Sequence, residues 1–88
     1  MANLHFELVT PERAVLSTSA YLVELPGSEG DFGVFEGHAP VMTTISDGEV
    51  RVYASAGASP QRISVEGGFA EIDARGVTIL AERATVAA

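Results

Sequence analysis

The stretch Arg62-Ile63-Ser64-Val65-Glu66-Gly67-Gly68-Phe69-Ala70-Glu71-Ile72-Asp73-Ala74-Arg75-Gly76-Val77-Thr78-Ile79-Leu80 decides the fold class. Its apolar, largely β-branched residues alternate with polar ones, the period of a pleated strand that buries one face. Gly67-Gly68 and Arg75-Gly76 interrupt that alternation with turn-forming residues. The reading is three short strands, Arg62–Glu66, Ala70–Asp73 and Val77–Leu80, separated by two turns. Helices are not expected, because no window of a dozen residues keeps apolar side chains at three-and-four spacing without a Gly or Pro; only the tail from Ala81 to Ala88 tolerates one.

The same alternation recurs in Leu4-His5-Phe6-Glu7-Leu8-Val9, where Leu4, Phe6 and Leu8 share a face. Thr10-Pro11 ends that strand, since proline cannot donate to a ladder. Further strands are read at Ala14–Ser17, at Tyr21–Leu25 closed by Pro26-Gly27, and at Glu49–Tyr53, with turns at Asp47-Gly48 and Gly57-Ala58-Ser59-Pro60. Ten Val, four Ile and six Thr supply β-branched side chains for pleated surfaces. The pattern implies an all-β sandwich or barrel.

The chain has 88 residues, of which 47% are hydrophobic and 19% charged. That allows one domain, residues 1–88, with enough apolar surface for a core and too little charge for disorder. The absence of cysteine excludes disulfides, thiolate nucleophiles, iron–sulfur clusters and the usual structural zinc sites. Net charge is −7, and the five arginines stand singly with no lysine beside them, so a nucleic-acid or anionic-membrane partner is disfavoured. No apolar run reaches the length of a spanning helix, and no basic n-region opens the chain, which predicts a soluble mature protein.

Pro26 to Pro40 reads PGSEGDFGVFEGHAP. Glycines at 27, 30, 33 and 37 supply tight turns and close backbone approach, and on spacing alone the segment is a long ordered connection. A phosphate cradle is excluded by the wrong glycine spacing, by Glu29 and Asp31, and by the lack of lysine. Glu29, Asp31, Glu36 and His38 could supply metal ligands, but nothing in their spacing sets a geometry. His5 and His38 are the only histidine bases, no Ser sits in a nucleophile elbow, and too few aromatics exist to line a sugar cleft. No enzyme is expected and no cofactor is implied. Pro40 holds Ala39 extended beside His38, which makes that site either a locally satisfied histidine or an interface contact.

Gly27-Ser28-Glu29-Gly30-Asp31-Phe32-Gly33-Val34 followed by Gly37-His38-Ala39-Pro40 closely resembles the N-terminal domain of the epsilon subunit of the F-type ATP synthase, called delta in mitochondria. Pro11-Glu12-Arg13, Gly67-Gly68-Phe69 and Val77-Thr78-Ile79-Leu80-Ala81-Glu82 match in the same order, so the resemblance spans essentially the whole chain. Glu36 stands where the family often has proline. The resemblance implies a ten-stranded β-sandwich, a non-catalytic part of the central stalk that couples gamma to the membrane c-ring. It implies a peripheral location on the cytoplasmic face of the bacterial inner membrane, without membrane insertion. It also implies that Glu29 and Asp31 face the polar loops of the c-ring. Thr10, His38, Pro40, Met42 and Thr43 would meet gamma, with Phe35 and Val41 as apolar support. The family's inhibitory helical hairpin would begin where this chain stops, so neither that role nor ATP binding is expected. The alternative reading is a free-standing β-sandwich that binds a small ligand or metal at the glycine-rich loop.

Overall fold

A computed structural model describes residues 4–27, 30–34, 37 and 40–86. Eight strands follow one another along them: β1 (Leu4–Thr10), β2 (Arg13–Ala20), β3 (Leu22–Gly27), β4 (Gly30–Val34), β5 (Val41–Thr44), β6 (Gly48–Tyr53), β7 (Gln61–Asp73) and β8 (Gly76–Val86). No helix long and apolar enough to cross a membrane occurs among these residues.

The hydrogen-bonded order is β2-β1-β8-β7-β6-β3-β4, with β5 added to β7. All pairs are antiparallel except β1 with β8, where the two ends of the chain run side by side in parallel. The long β7–β8 hairpin belongs to both layers. Its turn-proximal half, Phe69–Asp73 against Gly76–Leu80, lies between β5 and β1. Its distal half, Ile63–Glu66 against Arg83–Val86, continues into β6, β3 and β4. With each half counted separately, five strand segments make each layer, so the expected ten-stranded sandwich is built from eight continuous strands.

Two readings from the sequence are corrected. Gly67-Gly68 does not separate two strands but is a corner inside one, and the tail after Ala81 is strand as far as Val86. At the corner the inward face changes parity: Ile63 and Val65 are buried before it, Ala70 and Ile72 after it. A regular strand keeps one parity, so the switch needs backbone that ordinary residues avoid. Gly67 and Gly68 supply it with φ of 61° and 118°. The tail is a strand because its backbone pairs with β7, a long-range partner that overrides weak local preference.

Both layers bury their inward faces in one apolar cluster that includes Leu4, Phe6, Leu8, Leu25, Ile63 and Ile79. β4 lies within the segment read as a connection; it pairs with β3 from Val23↔Val34 to Gly27↔Gly30, and Val34 is buried. β5 carries no period-two signal, because its adjacent residues Val41 and Met42 are both apolar although they face opposite sides.

Candidate functional site

Residues opposite one another across a ladder share a face, so the registers map each outer surface. On the layer containing β1 and β5, a complete row crosses five strands: Thr44, Phe69, Leu80, Val9 and Ala14. Phe69 is 41% and Leu80 39% exposed, although both are large and apolar. Met42, one row along, is 62% exposed, and with Thr43, Thr44 and Phe69 it lines a shallow apolar groove. That second row runs Met42, Glu71, Thr78, Glu7 and Ser17. A third carries Asp73, Gly76, His5 and Ser19. Exposed apolar surface of this kind is a candidate interaction site.

The other layer's outer face is closed by its own charges. The Arg51 guanidinium on β6 donates from Nε to Glu24 Oε1 on β3 at 2.8 Å. It also lies 3.4 Å from Asp31 on β4 and 3.7 Å from Glu49. The Tyr53 hydroxyl donates to the same Glu24 oxygen at 2.8 Å, and Arg62 extends the chain to Glu49 at 3.9 Å. One side chain thus ties three strands together through charge-assisted bonds.

Arg51 first, then the Tyr53 hydroxyl, holds the Glu24 carboxyl below its ordinary value of 4.5. The bond from Tyr53 to Glu24, followed by burial, pushes the phenol up. A carboxyl with a depressed folded pKa contributes stability above its unfolded pKa and loses it as pH falls through the folded one. The expected result is that part of the acid lability below about pH 4.5 belongs to Glu24. Urea midpoints measured from pH 6 down to about pH 3 should fall less steeply in Glu24→Gln than in the parent. Equal slopes would remove Glu24 from the account.

The residues singled out from the sequence are dispersed. Asp31 sits at the start of β4, exposed, with its carboxylate beside Arg51. Met42 and Pro40 are exposed, and Val41 is 43% exposed. Thr43 is half-buried in register with Ala70, its hydroxyl donating to the Thr44 carbonyl. Thr10 is buried, and its hydroxyl donates to the Arg13 carbonyl across the β1–β2 turn. Glu29, Phe35 and His38 lie outside the described residues. Sequence reading missed Phe69, Leu80 and Val9. A signal existed for Leu80 and Val9, apolar residues at the outward parity of Val77-Thr78-Ile79-Leu80 and of Leu4-His5-Phe6-Glu7-Leu8-Val9; for Phe69 the face depends on pairing. Among the described residues no three acidic or histidine side chains converge as a metal site, and Glu29, Glu36 and His38 are not among them.

The family described as ATP synthase, Delta/Epsilon chain, beta-sandwich domain matches residues 3–87. The ATP synthase epsilon chain of Caulobacter vibrioides is 50% identical over 88 residues, the whole of both chains. That of Rhodopseudomonas palustris (strain BisB5) is 48% identical over 88 residues and that of Parvibaculum lavamentivorans 52% over 80. Of these two longer relatives the chain spans only 64% and 60% of the length. Among solved structures, a chain of the Euglena gracilis mitochondrial ATP synthase, OSCP/F1/c-ring, superposes with a TM-score of 0.87 at 22% identity, covering 98% of this chain and 54% of that one, which shows a shared fold. With the family matched over nearly every residue and curated relatives near half identity, this chain belongs to the β-sandwich domain family of the ATP synthase delta and epsilon chains.

Proposed function

We propose that the chain is a non-catalytic rotor subunit of an F-type ATP synthase, joining the gamma subunit to the c-ring and working at the cytoplasmic face of the bacterial membrane. Family membership supports the assembly. The single observation that carries the docking geometry is the asymmetry of the two outer faces. One bears the neighbouring apolar residues Phe69, Leu80 and Val9 beside Met42, and the other spends Glu24, Asp31 and Glu49 on ion pairs. A rotor link must transmit torque without deforming. A sandwich whose layers share a continuous hairpin and one close-packed core resists shear between them.

In this reading the row around Phe69, Leu80 and Met42 meets gamma, together with Pro40, Thr10 and Thr43; His38, singled out from the sequence for the same contact, lies outside the described residues. Asp31 and Glu29 meet basic groups on the c-ring loops. The test is association of the purified chain with purified gamma. Phe69→Ser should raise the dissociation constant by roughly tenfold or more, the range of a buried aromatic anchor. If Phe69→Ser binds as tightly as the parent, the docking face is wrong.

The Asp31 contact is exposed and screened, so Asp31→Asn should weaken retention of the chain on c-ring complexes by less than about tenfold at low salt. Retention unchanged at every salt concentration would remove Asp31 from that contact.

A further inference from the structure

On the face of β6, β3 and β4 one arginine gathers three acids, although Glu66 on that face forms no ion pair among the described residues. Glu24, Asp31 and Glu49 all lie within ion-pair distance of Arg51. Glu7 and Glu71 are on the docking face, and among the described residues neither forms an ion pair or a side-chain hydrogen bond. Both flank Thr78 in the second row, directly beside the apolar row of Phe69, Leu80 and Val9. Two strand spacings separate them, about 10 Å. No nearby side chain pairs with them among the described residues. His5 spends its Nε2 on the Ser17 hydroxyl at 3.3 Å. Arg75, on the β7–β8 turn, lines the same surface depression as His5 and Glu71 but makes no ion pair among the described residues.

An unpaired carboxylate next to exposed apolar surface becomes partly desolvated once that surface is covered, which is costly unless the partner supplies the opposite charge. We infer that this face recognises a protein surface with an apolar ridge beside two basic side chains about 10 Å apart, which pair with Glu7 and Glu71. The inference rests on the docking face assigned above and adds the charge pattern of the partner, which is the gamma subunit in that assignment. The apolar row supplies adhesion without direction, because burial of Phe69 or Leu80 is favourable in any orientation. The two glutamates form a charge pattern beside that row, so they favour one orientation of the partner and accelerate its approach.

Association kinetics of the purified chain with purified gamma test this at low and high salt. The doubly neutralised variant, Glu7→Gln with Glu71→Gln, should associate roughly three- to tenfold more slowly at ~0.05 M salt. The difference should vanish near ~1 M salt, where screening acts within about 3 Å. Glu71→Lys should be slower still. Both positions are on the surface, and unchanged circular dichroism would confirm that the variants fold.

If the doubly neutralised variant matches the parent in rate and salt dependence while Phe69→Ser still blocks binding, the basic pair does not exist and the docking face stands. If neither variant changes binding, both readings fall. If sedimentation shows that the chain alone dimerises through this face, and the glutamine variants strengthen the dimer, the exposed row serves a second copy and the inference is overturned.

Discussion

Gly68→Ala is expected to cost on the order of 3 kcal/mol or more, enough to leave a domain of this size largely unfolded under mild denaturant. Two effects act together. Gly68 has a φ of 118°, a conformation that L side chains rarely adopt. A Cβ there would also overlap the backbone of Leu80 and Ala81 on the paired strand. Backbone in the middle of a ladder cannot retreat without breaking the hydrogen bonds that hold β7 to β8. The neighbouring position makes the control. Gly67 has a φ of 61°, in the left-handed region that Asn tolerates, and its nearest neighbour to a Cβ is the Glu82 side chain at 3.7 Å. Gly67→Asn should therefore cost no more than about 1 kcal/mol. Urea midpoints of the two variants decide the matter. If Gly68→Ala were as stable as Gly67→Asn, the corner would not be the constraint described here.

Two phenylalanines should fail in opposite ways. Phe6 is fully buried at the centre of the cluster formed by both layers, and Phe6→Ala should destabilise the chain by about 3–5 kcal/mol through lost transfer energy and the cavity left behind. Phe69 is 41% exposed, so truncating it removes little burial from the isolated chain. Phe69→Ser should change stability by roughly 1 kcal/mol or less while sharply weakening the proposed complex with gamma. Thermal melts and binding measured on the same two proteins separate the cases. A Phe69→Ser variant that melted as early as Phe6→Ala would mean that Phe69 supports the fold instead of meeting a partner.

Most of the strand content was legible because its cause is local. Leu4, Phe6 and Leu8 alternate with polar neighbours, and the structure buries all three. Pro11 and Asp47-Gly48 punctuate strands where expected. The misreadings share one physical origin. Gly67-Gly68 has the composition of a turn, and only the pairing of Glu66 with Arg83 and of Gly68 with Ala81 shows that the strand continues through it. β5 shows no alternation because its outward Met42 is apolar. Among the site residues, Asp31 was recognisable as an exposed acid, whereas its neighbour Arg51 is twenty positions away in the chain and was not.

By itself the sequence determined that the chain is all-β, acidic and without thiol chemistry, and its glycine-rich motif pointed to the family that the comparisons establish. Those properties are carried by composition, by period-two alternation and by short motifs, each readable within a few residues. It took the folded chain to show that one hairpin serves both layers, that Arg51 draws Glu24, Asp31 and Glu49 into ion pairs, and that Phe69, Leu80 and Val9 form one row with Glu7 and Glu71 beside it. The reason is register: cross-strand neighbours are set by pairings such as Val9 with Leu80, between residues at opposite ends of the chain, and no local pattern encodes which residue will stand opposite which.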